Sequence, residues 1–252
     1  NPQKMSHKVA IVMPAYNEGE VIADVVEKWT GLLKHGFSEA DKPVLIVVND
    51  GSKDNTGAIL TELAKTNPLL IAVNQPNGGH GNAVVNAYKK ALELNADYVF
   101  QTDSDDQFET DDFFKLWEKR NDSDFILGYR KTRFDAPIRL IITRILKVSI
   151  FLFFGTAIED SNIPFRLIKG SFLKKLIDNL PEPTPFAPNI FIAVMAKRAG
   201  QKLFSIHITH KDRHTGEVSI KKMKLLQVCW QSFKELMAFR RALPGIVKRI
   251  KG

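Results

Sequence analysis

Four short apolar runs rich in β-branched residues, Val9–Met13, Val44–Val48, Leu69–Val73 and Tyr98–Thr102, alternate with stretches of helical period at Val21–Leu33, Ala58–Ala64 and Ala83–Leu94. Runs that are apolar at every position, as VAIVM and VLIVV are, suit strands covered on both faces. The alternation predicts a βαβαβαβ order, hence an α/β fold built on a mostly parallel, doubly wound sheet with helices on both faces. In such sheets ligands bind beyond the carboxyl ends of the strands. The residues that follow each apolar run are therefore where chemistry is expected.

The second half is less regular. Pro137–Phe154 has helical period and carries Arg139, Thr143, Arg144 and Lys147 as a basic stripe on an otherwise apolar segment. This pattern suits a helix lying in a membrane interface, and equally a core helix with snorkelling cations. A strand at Phe165–Ile168 and a helix at Ser171–Leu180 follow. Next comes a loop with Pro181, Pro183, Pro185 and Pro188, which resists helix and strand alike and suits a lid or a wall of an acceptor site. Beyond it the pattern predicts a helix at Asn189–Ala199, a strand at Leu203–Thr209 and a basic amphipathic helix over Lys221–Arg241. The expected organisation is one unit over residues 5–220, divided near residue 128, with 221–252 as a basic, amphipathic helical tail. No internal repeat is present.

Charge sharpens that division. Residues 1–128 hold 12 Lys and Arg against 20 Asp and Glu, whereas residues 129–252 hold 24 against 8, so a net −8 is followed by a net +16. An acidic half suits a metal ion and a basic half suits an anionic partner such as a phosphate or a membrane surface. With 44% hydrophobic and 25% charged residues the chain is of ordinary globular composition. The single cysteine, Cys229, excludes an internal disulfide and points to a reducing compartment. The longest apolar run, Val148–Ile158, is too short to span a bilayer, and the polar N-terminal residues do not resemble a signal peptide. A cytoplasmic protein, peripherally associated with the membrane face, is the expectation.

All four strand ends are polar: Pro14-Ala15-Tyr16-Asn17-Glu18, Asn49-Asp50-Gly51-Ser52-Lys53-Asp54, Asn77-Gly78-Gly79-His80-Gly81-Asn82 and Asp103-Ser104-Asp105-Asp106-Gln107. Turn and capping chemistry accounts for any one of them, since Ser, Asp and Asn start helices and Asp-Gly makes turns. It does not account for all four at one sheet edge. Asp103 and Asp105 are two apart in an extended chain, so both carboxylates reach one side. Hard oxygen ligands suit Mg²⁺ or Mn²⁺, and the amide oxygen of Gln107 completes the protein's share, leaving positions for substrate phosphates.

In this order and spacing, PAYNE, VVNDGSKD, NGGHGNA and DSDDQ resemble the family 2 glycosyltransferases of GT-A fold. DSNIPFR at Asp160–Arg166 and the stretch Ile208–Ser219, with Arg213, Gly216 and Ser219, are similar to the dolichol-phosphate mannose synthase and polyprenyl-phosphate glycosyltransferase branch. The resemblance implies an inverting, metal-dependent transferase that moves a sugar from a UDP- or GDP-sugar to a polyprenyl phosphate. It implies a donor held by Pro14, Tyr16, Glu18, Asp50, Gly81 and Asp103, with Asp50 facing the base, and a metal on Asp103, Asp105 and Gln107. The acceptor phosphate is implied to meet Arg130, Arg139, Thr143 and Arg213. Asp105, Arg213 and Asp160 are the implied catalytic residues. Asp160 matches a position that serves as base where the acceptor is a hydroxyl, and in the lipid branch it orients its neighbours. Two features depart from the pattern: Val218 stands before Ser219 in the RxxGES-like element, and the transmembrane helices of many relatives have no counterpart here.

Transfer to a sugar hydroxyl in polysaccharide synthesis, with Asp160 as base, is the alternative within the same class. A nucleic-acid-binding module, suggested by the pI near 9.4, leaves the polar strand ends unexplained. The glycines Gly78, Gly79 and Gly81 follow the third strand rather than the first, which argues against a dinucleotide fingerprint. His207, His210 and His214 lack the spacing of a zinc site.

Overall fold

Strands β1 (Val9–Ala15), β2 (Val44–Asp50), β3 (Leu70–Gln75) and β4 (Tyr98–Gln101) lie parallel, joined by helices α1 (Ile22–Gly36), α2 (Thr56–Thr66) and α3 (His80–Glu93). A computed structural model describes residues 6–130, 137–209, 211 and 222–252. All seven residues of β1 are buried, as the unbroken apolar run requires. Burying each such Val or Ile contributes roughly 1.5–3 kcal/mol.

After β4 come α4 (Asp112–Trp117), β5 (Phe125–Arg130), α5 (Pro137–Phe154), β6 (Arg166–Lys169), α6 (Gly170–Ile177), α7 (Pro188–Arg198), β7 (Leu203–Ile208) and α8 (Lys222–Lys251). Sequence pattern does not identify β5. The seven strands form one sheet in the order β3-β2-β1-β4-β6-β5-β7, in which β6 runs antiparallel to both β4 and β5 while β5 and β7 are parallel. The sheet is thus mixed on one side, and this matters for the site. Because β6 is reversed, it starts at the edge where β4 and β5 end: Arg166 pairs with Gln101 on one flank and Leu127 on the other. The loop leading into β6 therefore enters between the ends of β4 and β5.

The sheet parts at one place. β1 continues beside β2 as far as Ala15 opposite Asn49, but its pairing with β4 ends at Val12 opposite Gln101. Val12 accepts a bond from the Thr102 amide at 3.0 Å, so Pro14, two residues on, turns its missing N–H to the same side, where β4 has already departed. This split between β1 and β4 is the topological switch point at which α/β sheets bind ligands.

Helix α8 runs ten residues beyond the predicted end at Arg241, through Pro244. Its buried positions Leu236, Phe239, Leu243, Ile246 and Ile250 keep a three-and-four spacing past the proline. Pro244 itself is exposed, so the bond it forgoes faces water. Phe239 packs on Phe191 of α7 and Phe154 of α5, with ring centroids 4.8 and 5.6 Å apart, and Arg249 Nε donates to Asn179 Oδ1 at 2.6 Å. The C-terminal segment set apart by its composition is docked along this stripe. Among the described residues, no helix is long and apolar enough to cross a membrane.

Candidate active site

The loops after β1 and β2 are tied to each other. Asn17, at φ 55°, donates its amide to Ser52 Oγ at 3.0 Å and accepts the Lys53 amide on Oδ1 at 2.8 Å. Glu18 N donates to Thr56 Oγ1 at 2.9 Å and Gly19 N to Asp54 Oδ2 at 2.9 Å. Burial pushes the Asp54 carboxyl up, but hydrogen bonds from Thr56 and Gly19 outweigh it and hold it below its ordinary value. Ser52, Asp54 and Thr56 therefore serve turn and capping chemistry, and what they hold in place is the Pro14–Glu18 loop. Tyr16 stands exposed on that loop at 41%, while Pro14 is buried at the strand end.

Asp50 closes β2 and is 3% exposed. Its Oδ1 accepts from Gly78 N and Gln75 Nε2, both at 2.8 Å, and its Oδ2 accepts from Gly79 N at 2.9 Å. Asn77 Nδ2 adds a bond to the Asp50 carbonyl at 3.0 Å. The carboxylate expected to face a nucleobase thus organises the glycine loop that starts α3, and about one of its four lone-pair positions is left. Gly81, expected beside the donor, meets a different demand: a Cβ there would overlap the Pro185 and Phe186 carbonyls. Its missing side chain lets the proline-rich loop close on α3.

Beyond β4, Asp103 is half-buried, and its Oδ1 is enclosed without a hydrogen-bond partner. Burial raises this carboxyl well above its ordinary value, the Asp105 and Glu18 charges raise it further, and Arg130 and Arg166 oppose them. Asp105 Oδ1 lies 3.4 Å from the Gln107 amide. Gln107 turns Nε2 toward the Lys211 carbonyl at 3.5 Å, which directs its Oε1 elsewhere, and its own carbonyl accepts Lys211 N at 2.8 Å. Asp106, at φ 55°, is drawn off to Lys28 of α1 by an ion pair of 2.6 Å. Two mutually repelling carboxylates with an enclosed, unsatisfied oxygen fit a divalent cation. Among the described residues no group of three or more His, Cys, Asp or Glu is placed to hold a metal, so the carboxylates of Asp103 and Asp105 stand there as a pair. That donor set suits an ion whose remaining positions are filled by phosphate oxygens.

The residue that ends β5 faces the loop that enters β6. Arg130 Nε and Nη2 both lie 3.0 Å from Asp160 Oδ2, in a pair whose side chains are 15% and 6% exposed. Beneath it, Arg166 is fully buried. Its Nη1 donates to Asn189 O at 3.0 Å, its Nη2 to Ser161 O at 3.1 Å and its Nε to Ile163 O at 2.9 Å. Burial lowers the Arg166 guanidinium, while Tyr88, Asp160 and Asp103 hold it up. Tyr88 Oη in turn donates to Gln101 Oε1 at 2.6 Å, and burial raises the phenol far above its ordinary value.

The family model of Glycosyl transferase family 2 matches residues 10–179, which run from the second residue of β1 through α6. The chain belongs to that family. Among similar family 2 proteins, it is 31% identical over 192 residues to the UDP-N-acetylglucosamine–dolichyl-phosphate N-acetylglucosaminyltransferase of Methanococcus voltae, covering 68% of this chain and 73% of that one. It is 24% identical over 226 residues to the undecaprenyl-phosphate 4-deoxy-4-formamido-L-arabinose transferase of Photorhabdus laumondii, covering 88% and 66%. The fold is shared with glucosyl-3-phosphoglycerate synthase of Mycobacterium tuberculosis, whose complex with Mn²⁺, UDP and glucosyl-3-phosphoglycerate superposes with a TM-score of 0.65 at 16% identity, over 92% of this chain and 79% of that one.

Within this glycosyltransferase fold, Pro14, Glu18, Asp103, Asp105, Gln107, Arg130 and Asp160 converge on the edge where β1 and β4 separate and β6 begins. The side chains of Arg139 and Thr143, and Arg213 as a whole, lie outside the described residues. Sequence reasoning missed the role of Arg166. Its signal was an arginine among the apolar residues of PFRLI, at a position that strand alternation gives to the interior.

Proposed function

We propose that this family 2 enzyme transfers a sugar from a nucleoside diphosphate sugar to a polyprenyl phosphate, with inversion at the anomeric carbon. The observation that carries the reading is the pairing at one sheet edge of a cation-demanding carboxylate pair, Asp103 and Asp105, with the guanidinium of Arg130. The names of relatives that act on dolichyl and undecaprenyl phosphates support the acceptor class.

The nucleoside lies against Pro14, Tyr16 and Glu18, on a loop that Ser52, Asp54 and Thr56 keep in shape. Asp50 acts on the donor through the glycine loop it holds. Asp103, Asp105 and Gln107 would hold Mg²⁺ or Mn²⁺, and the bound ion would supply positive charge to offset the negative charge developing on the departing diphosphate. Arg130, with Arg139, Thr143 and Arg213, holds the acceptor phosphate in line with the anomeric carbon. A phosphate monoester is an anion near neutral pH, so one of its oxygens attacks as the bond to the diphosphate breaks, and no proton has to be removed.

An acceptor of this class supports a reading in which the enzyme works at an anionic membrane surface. Ile145, Val148, Phe151 and Leu152 of α5 and Trp230, Phe233 and Met237 of α8 are exposed, and the Phe153 and Phe233 rings, 5.6 Å apart, join the two helices into one face. Arg144 and Lys147 are exposed on α5, Lys234 lies over Trp230 and Arg240 over Phe153. Apolar anchors with interspersed cations match an interfacial helix pair.

The test is a panel of nucleotide sugars with Mn²⁺ and either undecaprenyl phosphate or oligosaccharides. Transfer to the lipid phosphate alone, abolished by EDTA and by Asp105→Ala, is expected. Transfer only to an oligosaccharide would replace the lipid phosphate with a hydroxyl acceptor.

A further inference from the structure

The segment after β4 holds three aspartates, Asp103, Asp105 and Asp106, and the metal reading uses two of them. Asp106 stands one peptide unit from Asp105, with ~3.8 Å between their Cα atoms, so a loop could bring its carboxylate to the same ion. The fold keeps it away. Among the described residues no three acidic, His or Cys side chains are grouped to hold a metal. What sets Asp106 apart is its partner: Oδ2 lies 2.6 Å from Lys28 Nζ on α1, in a pair whose side chains are 33% and 46% exposed.

Helix geometry offers Lys28 a nearer acid. Asp24 stands one turn earlier on α1, at the spacing that favours a pair on a helix surface, yet the ammonium goes to Asp106, 78 positions along the chain. The backbone at Asp106 makes such a partner necessary. Its φ of 55° lies in the left-handed region, where strand alternation no longer decides which way a side chain points. The direction of the carboxylate is set by what it meets. The anchor is firm, because α1 buries Val25, Val26, Trp29, Leu32 and Leu33 in the core. The same helix is tied at its start to the Glu18 carbonyl, which accepts Val21 N and Ile22 N at 3.0 and 2.9 Å.

We propose that Lys28 is a positioning residue of the metal loop, which holds the Asp106 carboxylate on α1 and away from the ion that Asp103 and Asp105 bind. The inference rests on the metal reading above. Two carboxylates balance the charge of a divalent ion and leave it neutral towards a diphosphate. A third would make the site net negative, repel that diphosphate and fill an octahedral position that its oxygens need. An exposed ion pair adds little to stability, so the use of this one lies in where it holds the carboxylate.

Mn²⁺ titrations of the full chain followed by electron paramagnetic resonance, with water-proton relaxation to count the waters left on the bound ion, test this without turnover. They are run with and without whichever of UDP and GDP the wild type binds. The wild type is expected to bind Mn²⁺ weakly alone and at least about tenfold more tightly with the nucleotide. Lys28→Ala frees Asp106, and should tighten Mn²⁺ binding without nucleotide by about five- to tenfold, displace about one bound water and cut the nucleotide's gain to about twofold. Lys28→Arg keeps the pair and should match the wild type. Asp106→Asn should change little alone and should restore wild-type binding when added to Lys28→Ala, because the carboxylate that was released is gone. A charge effect acting through space would instead make Asp106→Asn weaken Mn²⁺ binding by as much as Lys28→Ala tightens it. Equal and opposite single effects that sum in the double variant, or an unchanged water count and nucleotide gain in Lys28→Ala, would overturn the proposal. If Lys28→Ala does not fold, Lys28→Met, which keeps the apolar stem, is judged by the same readouts. A wild type that binds no Mn²⁺ with either nucleotide strikes the metal reading and the proposal with it, whereas normal wild-type binding with silent Lys28 variants strikes the proposal alone.

Discussion

Gly81 of α3 lies directly beneath the carbonyl of Pro185, so close that the hydrogen on its Cα fills the space a methyl would need. The proline-rich loop that carries Pro185 also donates Phe186 N to Glu235 of α8 at 3.2 Å. One loop thus bridges the helix that starts at the glycine loop and the C-terminal helix. Gly81→Ala must displace backbone rather than a flexible side-chain tip, which costs about 1–3 kcal/mol. Urea or thermal denaturation without any nucleotide should show that loss. Unchanged stability with a raised donor KM would mean that the glycine is required by the ligand instead.

Asp50 supports the same loop from the other side. Its carboxylate accepts the Gly78 and Gly79 amides together with Gln75 Nε2, and Asp50→Ala leaves those donors without their acceptor. The expected result is a raised KM for the nucleotide sugar, an unchanged KM for the acceptor and a loss of about 1–3 kcal/mol in stability. A rise in the acceptor KM alone would contradict this placement of Asp50.

The first four strands and three helices were legible because strands covered on both faces must be apolar throughout and amphipathic helices must keep their period. Phe125–Arg130 escaped notice because a short apolar run following the acidic Asp122 and Asp124 carries no helix–strand alternation to place it. The reversed direction of β6 was not legible either, since the strand's own four residues look the same in both directions and only pairing partners set its sense. The sequence pattern ends α8 short because a Pro-Gly pair is a local stop signal, and the burial of Ile246 and Ile250 overrides it. In the site, residue types that bind by charge were visible in the motifs. The pairing of Arg130 with Asp160 was not, because it joins the end of one strand to the loop before another across 30 positions.

The metal role proposed for Asp103 sets function against stability. Its carboxyl is held above the ordinary 3.8, so the folded, metal-free protein binds a proton that the unfolded chain has released. Stability of the metal-free protein therefore falls as pH rises from about 4 through the raised folded value, the reverse of a salt-bridged aspartate. Asp103→Asn removes the charge and should raise the melting temperature of metal-free protein at neutral pH. Saturating Mn²⁺ with UDP should raise the melting temperature of the wild type and leave that of Asp103→Asn nearly unmoved. Thermal melts with and without metal measure both effects. Destabilisation by Asp103→Asn without metal would mean that the carboxylate is satisfied as it stands.

The α5–α8 face gives the last expectation. Leu152 and Trp230 are 66% and 61% exposed on adjacent helices, far more than isolated surface apolar residues require, and the cations around them are Arg144, Lys147, Lys234 and Arg240. Burying an aromatic or leucine side chain contributes roughly 1.5–3 kcal/mol, and each cation near an anionic leaflet adds about 1 kcal/mol that salt screens. Neither contribution holds a protein at a bilayer alone, but together they do. Flotation with vesicles containing phosphatidylglycerol should recover the protein in low salt, lose most of it in high salt and recover little with neutral lipid. Leu152→Glu with Trp230→Glu should weaken binding at least about tenfold, because each places a charge where an apolar group would enter the interface. The double variant should keep its activity toward a short-chain, water-soluble polyprenyl phosphate while losing it toward the lipid in vesicles, since the substitutions lie on the exposed α5–α8 face and outside the proposed transfer site. Equal flotation from anionic and neutral vesicles at every ionic strength would show that the cations play no part, and no flotation at all would remove the membrane from the proposal.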